Sequence, residues 1–230
     1  DGSLVLKLYY DRETFDVSFN SNDGSSVSDI IGVRYEATID KPVDPEKEGY
    51  TFGGWFKEES LVNEWIFASD KVTEAITLYA KWEANTDTVY TVQHYQQDVT
   101  GEGYTLVEAD TEDKTGTTGT IATASPKDYT GFTLDADKSN IEGTIEPDGS
   151  LVLKLYYDRD AFTVSFDSNE GTEVADVTGV RFEATINKPG DPTKTGYDFD
   201  GWYKDEALES GWNFASDQVT ESITLYAKWA

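Results

Sequence analysis

Short stretches of strict apolar–polar alternation punctuate this chain, and almost nothing in it has the three-to-four-residue spacing of an amphipathic helix. FDVSFNSN (Phe15–Asn22) and FTVSFDSN (Phe162–Asn169) alternate with period two, the signature of a half-buried strand, and Asp23-Gly24 or Glu170-Gly171 then supplies a turn. FGGWF and FDGWY predict a second strand, and ITLYAKW, at Ile76–Trp82 and again at Ile223–Trp229, a third. Between them, KPVDPEKEGY holds two prolines and a glycine, so it predicts a loop with at most one helical turn. EESLVNEW and DEALESGW each have room for a short helix.

These segments come in pairs because the chain repeats itself. Residues 1–83 align with 148–230 without a gap, and 56 of the 83 positions are identical, so the sequence is an array of modules and not one large domain. The opening DGSLVLKLYYDR recurs unchanged as Asp148–Arg159. Boundaries fall near Arg12/Glu13, in the polar stretch Glu83–Thr88 and at Arg159/Asp160, giving a terminal strand 1–12, a repeat 13–83, a different module 84–158 and a second repeat 159–230. Residue 1 lies inside a strand-like run, which suggests an excised segment. In the middle module VYTVQHYQQ, TGTIATA and SLVLKLYYD predict strands, the last with Leu151, Leu153, Leu155 and Tyr157 on one face, whereas SPKDYTGF and DADKSN carry loop or helix-cap chemistry.

The pattern KPxDPxKxGYxFxGW, followed by Trp, Phe and ITLYAKW, resembles the Listeria-Bacteroides repeat, or internalin B-repeat, family. Lys41, Pro42, Asp44, Pro45, Lys47, Gly49, Tyr50, Phe52, Gly54, Trp55, Trp65, Phe67 and Trp82 carry it in one copy. Lys188, Pro189, Asp191, Pro192, Lys194, Gly196, Tyr197, Phe199, Gly201, Trp202, Trp212, Phe214 and Trp229 carry it in the other. Residues 88–158, with YTVQHYQQD, GTTGT, DYTGFTL and DGSLVLKLYYDR, are similar to mucin-binding-protein-like (MucBP-like) repeats. Both resemblances imply small β-grasp, ubiquitin-like modules, mainly β with short helices, in secreted or wall-attached proteins of Gram-positive and related bacteria. Such modules often serve as stalks, so the implied setting is the bacterial cell surface, within an adhesin-like protein.

Charge narrows the partners. The formal net charge is -27, spread as -9 over 13–83, -10 over 84–158 and -8 over 159–230, so it is a solvated coat and not a tail. Such a surface repels phosphate backbones and anionic headgroups, which argues against nucleic acid and against direct membrane insertion. A monomer within a longer chain, with a host glycan or host surface protein as possible partner, is the expectation. Apolar residues at 37% and aromatics at 13% are too many for a disordered chain. With no Cys and no Met, disulfides and thiolate chemistry are excluded.

Candidate sites have bland rivals. The six tryptophans at matched positions, with Tyr50/Tyr197 and Phe52/Phe199, would make either a sugar-stacking platform or a core, and strand spacing favours the core. Asp198-Phe199-Asp200-Gly201 resembles part of a calcium loop, but the other copy reads Thr51-Phe52-Gly53-Gly54. His94, the single histidine, has no nucleophile motif or metal-ligand partner nearby and reads as a partly exposed strand residue among Gln93, Tyr95 and Gln96. Gly116-Thr117-Thr118-Gly119 lacks the lysine of a phosphate cradle and reads as a turn. The expectation is therefore no catalytic residue, no cofactor and no metal.

The run LKLYYDRETFDVSF passes from a last strand into a first strand with no glycine or proline, which predicts a stiff junction and an elongated particle. Small-angle scattering checks this: a radius of gyration near the ~17 Å of a compact chain of this length would reject it.

Overall fold

A computed structural model describes residues 2–230. In the first repeat, β1 (Thr14–Asn20), β2 (Ile30–Arg34), β3 (Tyr50–Phe56) and β4 (Ile76–Ala84) form one sheet in the order β2-β1-β4-β3. Its two central strands run parallel, Val17 opposite Ile76 through Asn20 opposite Tyr79, and the outer strands are antiparallel to them. Alternation puts Val17 and Leu78 inward, where Val33, Ile39, Trp55, Trp65, Val72 and Ala80 complete a core.

The middle module contains β5 (Thr88–Gln97), β6 (Tyr104–Leu106), β7 (Glu112–Gly116), β8 (Ile121–Thr123), β9 (Phe132–Asn140), β10 (Glu142–Thr144) and β11 (Val152–Arg159). Strands β6-β5-β11-β9 make a sheet to which β7 adds by pairing with β5, and β8 pairs with β10 separately. Here too the first and last strands, β5 and β11, are parallel neighbours. The second repeat, with β12 (Ala161–Asp167), β13 (Val177–Arg181), β14 (Phe199–Tyr203) and β15 (Ile223–Trp229), reproduces the first in order and register. The chain divides into two compact units. One holds the first repeat through Tyr90 with Thr115–Ile121 and Thr144–Leu151; the other holds Thr91–Lys114, Ala122–Gly143 and Val152–Ala230.

The turn after the first strand is clasped by an indole. Asn22 and Asp23 both have positive φ and Gly24 N–H bonds to Ser21 O, the geometry of a type I′ turn. Trp82 Nε1–H also donates to Ser21 O at 2.8 Å, and a Cβ on Gly24 would lie 2.4 Å from that ring, so only glycine fits. Trp229, Ser168 and Gly171 repeat the arrangement.

Three expectations are corrected. EESLVNEW and DEALESGW form tight hairpin loops and not helices: the Glu58 carboxylate takes the N–H groups of Val62 and Asn63, Asp205 does the same for Glu209 and Ser210, and Leu61 and Leu208 sit at positive φ. Among the described residues the helical content is one 3-10 turn, Glu108–Asp110, so the architecture is all-β in four small mixed sheets. DADKSN lies within β9. Its loop-like chemistry is nonetheless present as an irregularity in the strand, where Asp135 binds the N–H groups of Asp137 and Lys138, and the side chains of Ser139 and Asn140 replace ladder acceptors for Tyr156 and Lys154.

Residues 2–11 form no strand, and Leu4, Leu6, Leu8 and Tyr10 are almost fully exposed, although the identical residues at 149–158 lead into and build the buried strand β11.

Trp55 and Trp202, at 1% and 2% exposure, anchor their cores. Replacing either with alanine should destabilise by about 3–5 kcal/mol. An exposed platform residue would instead change stability by less than about 0.5 kcal/mol, and urea unfolding of the two variants separates these outcomes.

Candidate functional site

The matched aromatics are consumed by packing. Phe19, Phe52 and Trp55 meet edge-on in the first repeat, as do Phe166, Phe199 and Trp202 in the second, with ring centroids 4.8–5.5 Å apart. Tyr197 is the member of the set left exposed in the folded modules, at 55%. Asp198 and Asp200 stand at the start of β14, Asp200 beside the Lys228 ammonium, and among the described residues no three acidic or histidine side chains converge as metal ligands would. Gly116–Gly119 ends β7 and makes the expected turn.

His94 is not the partly exposed strand residue expected from its polar neighbours. It points inward from β5 and is fully buried, stacked on Tyr157 and edge-on to Tyr129. Tyr157 Oη accepts the Lys127 N–H at 2.9 Å and lies within hydrogen-bond reach of His94 Nδ1 at 3.0 Å. The His94 Nε2 has no partner. Burial holds the imidazole pKa below its usual range, and Lys127 and Lys114 lower it further while Asp110 and Glu112 oppose them. Around it Lys127 bridges Asp110 and Glu112 at 2.8–2.9 Å and Tyr129 donates to Asp110 at 2.6 Å. Hydrogen bonds from Lys127 and Lys114 hold the Glu112 carboxyl down to about 2.

The geometry that sequence reasoning missed is at the junctions. Between β11 and β12 only Asp160 intervenes. Arg159 closes that step: Nε donates to Gln97 O, Nη1 to Phe182 O and to Glu183, each at 2.8 Å, and the guanidinium lies 4.8 Å above the Phe132 ring. Phe182 packs against Phe132 and Phe162, and Arg181 donates to Thr100 O. At Arg12 the repeat's half of this clamp is already in place, bonding Tyr35 O and Glu36, but the side chain is 58% exposed against 14% for Arg159. The recurrence of that arginine in a strongly acidic chain was the available signal.

A second junction follows β4. Asn85 N–H donates to Gly49 O and Thr118 N–H to Asn85 O, both at 2.9 Å, while the Thr88 and Thr118 hydroxyls meet at 2.7 Å. Gly119 N–H bonds to Ile145 O, tying the Thr-Thr-Gly turn to the segment before Pro147.

A family model, the Listeria-Bacteroides repeat domain, matches residues 15–81 and 162–228. The chain belongs to that family. It is 34% identical over 99% of its length to a protein described as a membrane protein of Evansella cellulosilytica, covering 33% of that protein. A Gly-rich membrane protein of the same organism is 34% identical over 98% of the chain and 26% of its own length. Internalin H of Listeria monocytogenes is 25% identical over 90% of the chain and 24% of its own length. The chain thus spans a third or less of the relatives it matches, and both flanking repeats and the module between them fall within the shared region.

His94 gives a pH signature. Its folded pKa is depressed below the ~6.5 of the unfolded chain, so as pH falls through that value the unfolded state takes up a proton that the folded state refuses, and stability drops. Carboxylates titrate lower, and partial relief of the -27 charge affects any variant alike. Wild type should therefore lose stability relative to His94→Gln between pH 7.5 and 5.0; urea midpoints that keep a constant difference would refute the assignment.

Proposed function

We propose that this chain is a non-enzymatic spacer, a stalk segment of an extracellular or wall-attached bacterial surface protein of the adhesin kind. The observation carrying this reading is the junction, where the last strand of one module becomes the first strand of the next across Asp160, with Arg159 clamping both sides. A continuous strand clamped by a planar, five-donor guanidinium resists bending at the connection. Aromatic side chains that would serve a ligand are spent inside the sheets, and the outer coat is acidic, as suits a soluble module facing water. The names of the relatives, a membrane protein and internalin H, accord with a cell-surface setting. No helix among the described residues is long and apolar enough to cross a membrane.

The modules are read as 13–83, 84–158 and 159–230, with 1–12 the last strand of another middle-type module. The exposed Leu4, Leu6, Leu8 and Tyr10 support this, since their counterparts at 151–157 lie in or beside the middle sheet. We read the shared plan, first and last strands parallel at the sheet centre, as a β-grasp reduced by loss of its helix, and the middle module as MucBP-like.

The rival reading makes residues 84–158 an adhesive module for mucin-type glycan or a host protein. It requires an open aromatic groove, and every aromatic side chain described in that module is buried or half-buried. An array of glycans and host surface proteins probed with the chain should show no saturable binding. Saturable binding to a mucin-type glycan, lost when the middle module is unfolded, would replace the spacer with the adhesin.

A further inference from the structure

We propose that the Gly196–Tyr197 corner of the second repeat is a docking surface for a following middle-type module, joined to it through β15. The occupant is identified by what covers the same corner in the first repeat. There Gly49 O accepts the Asn85 N–H, and a Cβ on Gly49 would lie 2.7 Å from Pro147 and 3.0 Å from the Thr118 methyl, so the middle module is seated directly on this glycine. Tyr50 is half-buried, its hydroxyl beside Gly119, where an added Cβ would come within 3.7 Å of the oxygen.

The second copy presents the same corner, already shaped. Tyr197 N–H bonds to Lys194 O at 3.1 Å as Tyr50 N–H bonds to Lys47 O at 3.1 Å. Lys194 stands 5.0 Å from the Tyr197 ring as Lys47 does from Tyr50. Gly196 has φ +85° against +75° at Gly49. Yet nothing lies within 4 Å of a Cβ on Gly196, and Tyr197 is 55% exposed. A surface that holds its bound shape without its partner loses little ordering entropy on docking.

Chemistry selects this partner. The contact uses a carbonyl, a tyrosine, a threonine methyl and a proline, all uncharged, so the touching groups themselves add no like-charge repulsion between two acidic modules. A second copy of this chain is a poor substitute, because its own Thr118 turn is occupied at Gly49. The inference depends on residues 84–158 acting as one module and is indifferent to whether that module is a spacer or an adhesin.

Tyrosine nitration tests it. Residues 84–230 are repeated after Ala230, keeping the alignment of Glu83 with Ala230, with Thr195→Ser in the added copy alone so that its tyrosine peptide differs in mass. Cooperative unfolding followed by far-UV circular dichroism, with an amplitude that grows in proportion to the added residues, verifies that the added modules fold, because residues 84–158 hold no tryptophan. Tyr197, fast in the 230-residue chain, should slow to the rate of Tyr50, while the tyrosine of the added copy stays fast. In the original chain Gly49→Ala should raise Tyr50 to the rate of Tyr197, and Gly196→Ala should leave Tyr197 as it was. A folded lengthened chain in which Tyr197 still reacts at its original rate overturns the proposal, as does a Tyr50 that stays protected in Gly49→Ala. Slowing of Tyr197 by excess untethered 230-residue chain would assign the surface to a second copy instead.

Discussion

A sheet of four short strands with no helix across it leaves one face to be roofed by loops, and each repeat does so with loop side chains packed against an indole carried by its own sheet. Trp55, on β3, shares the core with Val17 of β1 and Leu78 and Ala80 of β4, and Trp65, Ile39 and Val72 are brought in from the connecting loops. The core has to be closed by side chains from irregular segments because no regular element supplies them. That requirement explains the density of aromatics in modules of some seventy residues, where the buried fraction of the chain is small and each buried ring contributes on the order of 1.5–3 kcal/mol. It also explains why the loops are so heavily fixed by side chains: Glu58 or Asp205 gathers the N–H groups of one hairpin, Asp70 or Asp217 those of Ile66 or Asn213, and Trp82 or Trp229 the turn after the first strand.

Placing the first and last strands side by side at the centre of each of the three larger sheets has a consequence for the connections between them. The chain enters and leaves each of these sheets along its central strands, and the connections between successive sheets are one to three residues long. The junction side chains then work on a connection that is already short. Arg159 satisfies carbonyls on both sides of Asp160, and Asn85 with Thr118 does the same after β4 using backbone groups.

The sheet-forming segments were legible because their alternation is local: β1, β4, β5, β11, β12 and β15 follow from period-two patterning, and the turn at Asp23-Gly24 from its residues. The burial of the matched aromatics was legible from their strand spacing. Short helices at EESLVNEW and DEALESGW were not excluded by composition; only the capture of backbone N–H groups by Glu58 and Asp205 and the left-handed Leu61 and Leu208 decide for a loop. The inward aim of His94 depends on which edge of β5 meets β11, and the role of Arg159 on carbonyls far from it in sequence, so neither has a local signature.

DGSLVLKLYYDR states the division most plainly. Its alternating leucines and tyrosine determine, wherever the twelve residues occur, that an extended strand has one apolar face. Between β5 and β9 that face is buried and the segment is the middle of a sheet; at the start of the chain the same residues have no neighbouring strands and lie exposed. Sequence set the pattern, and tertiary structure alone decided whether it became a strand, because a strand's hydrogen bonds and its apolar burial are both supplied by other segments.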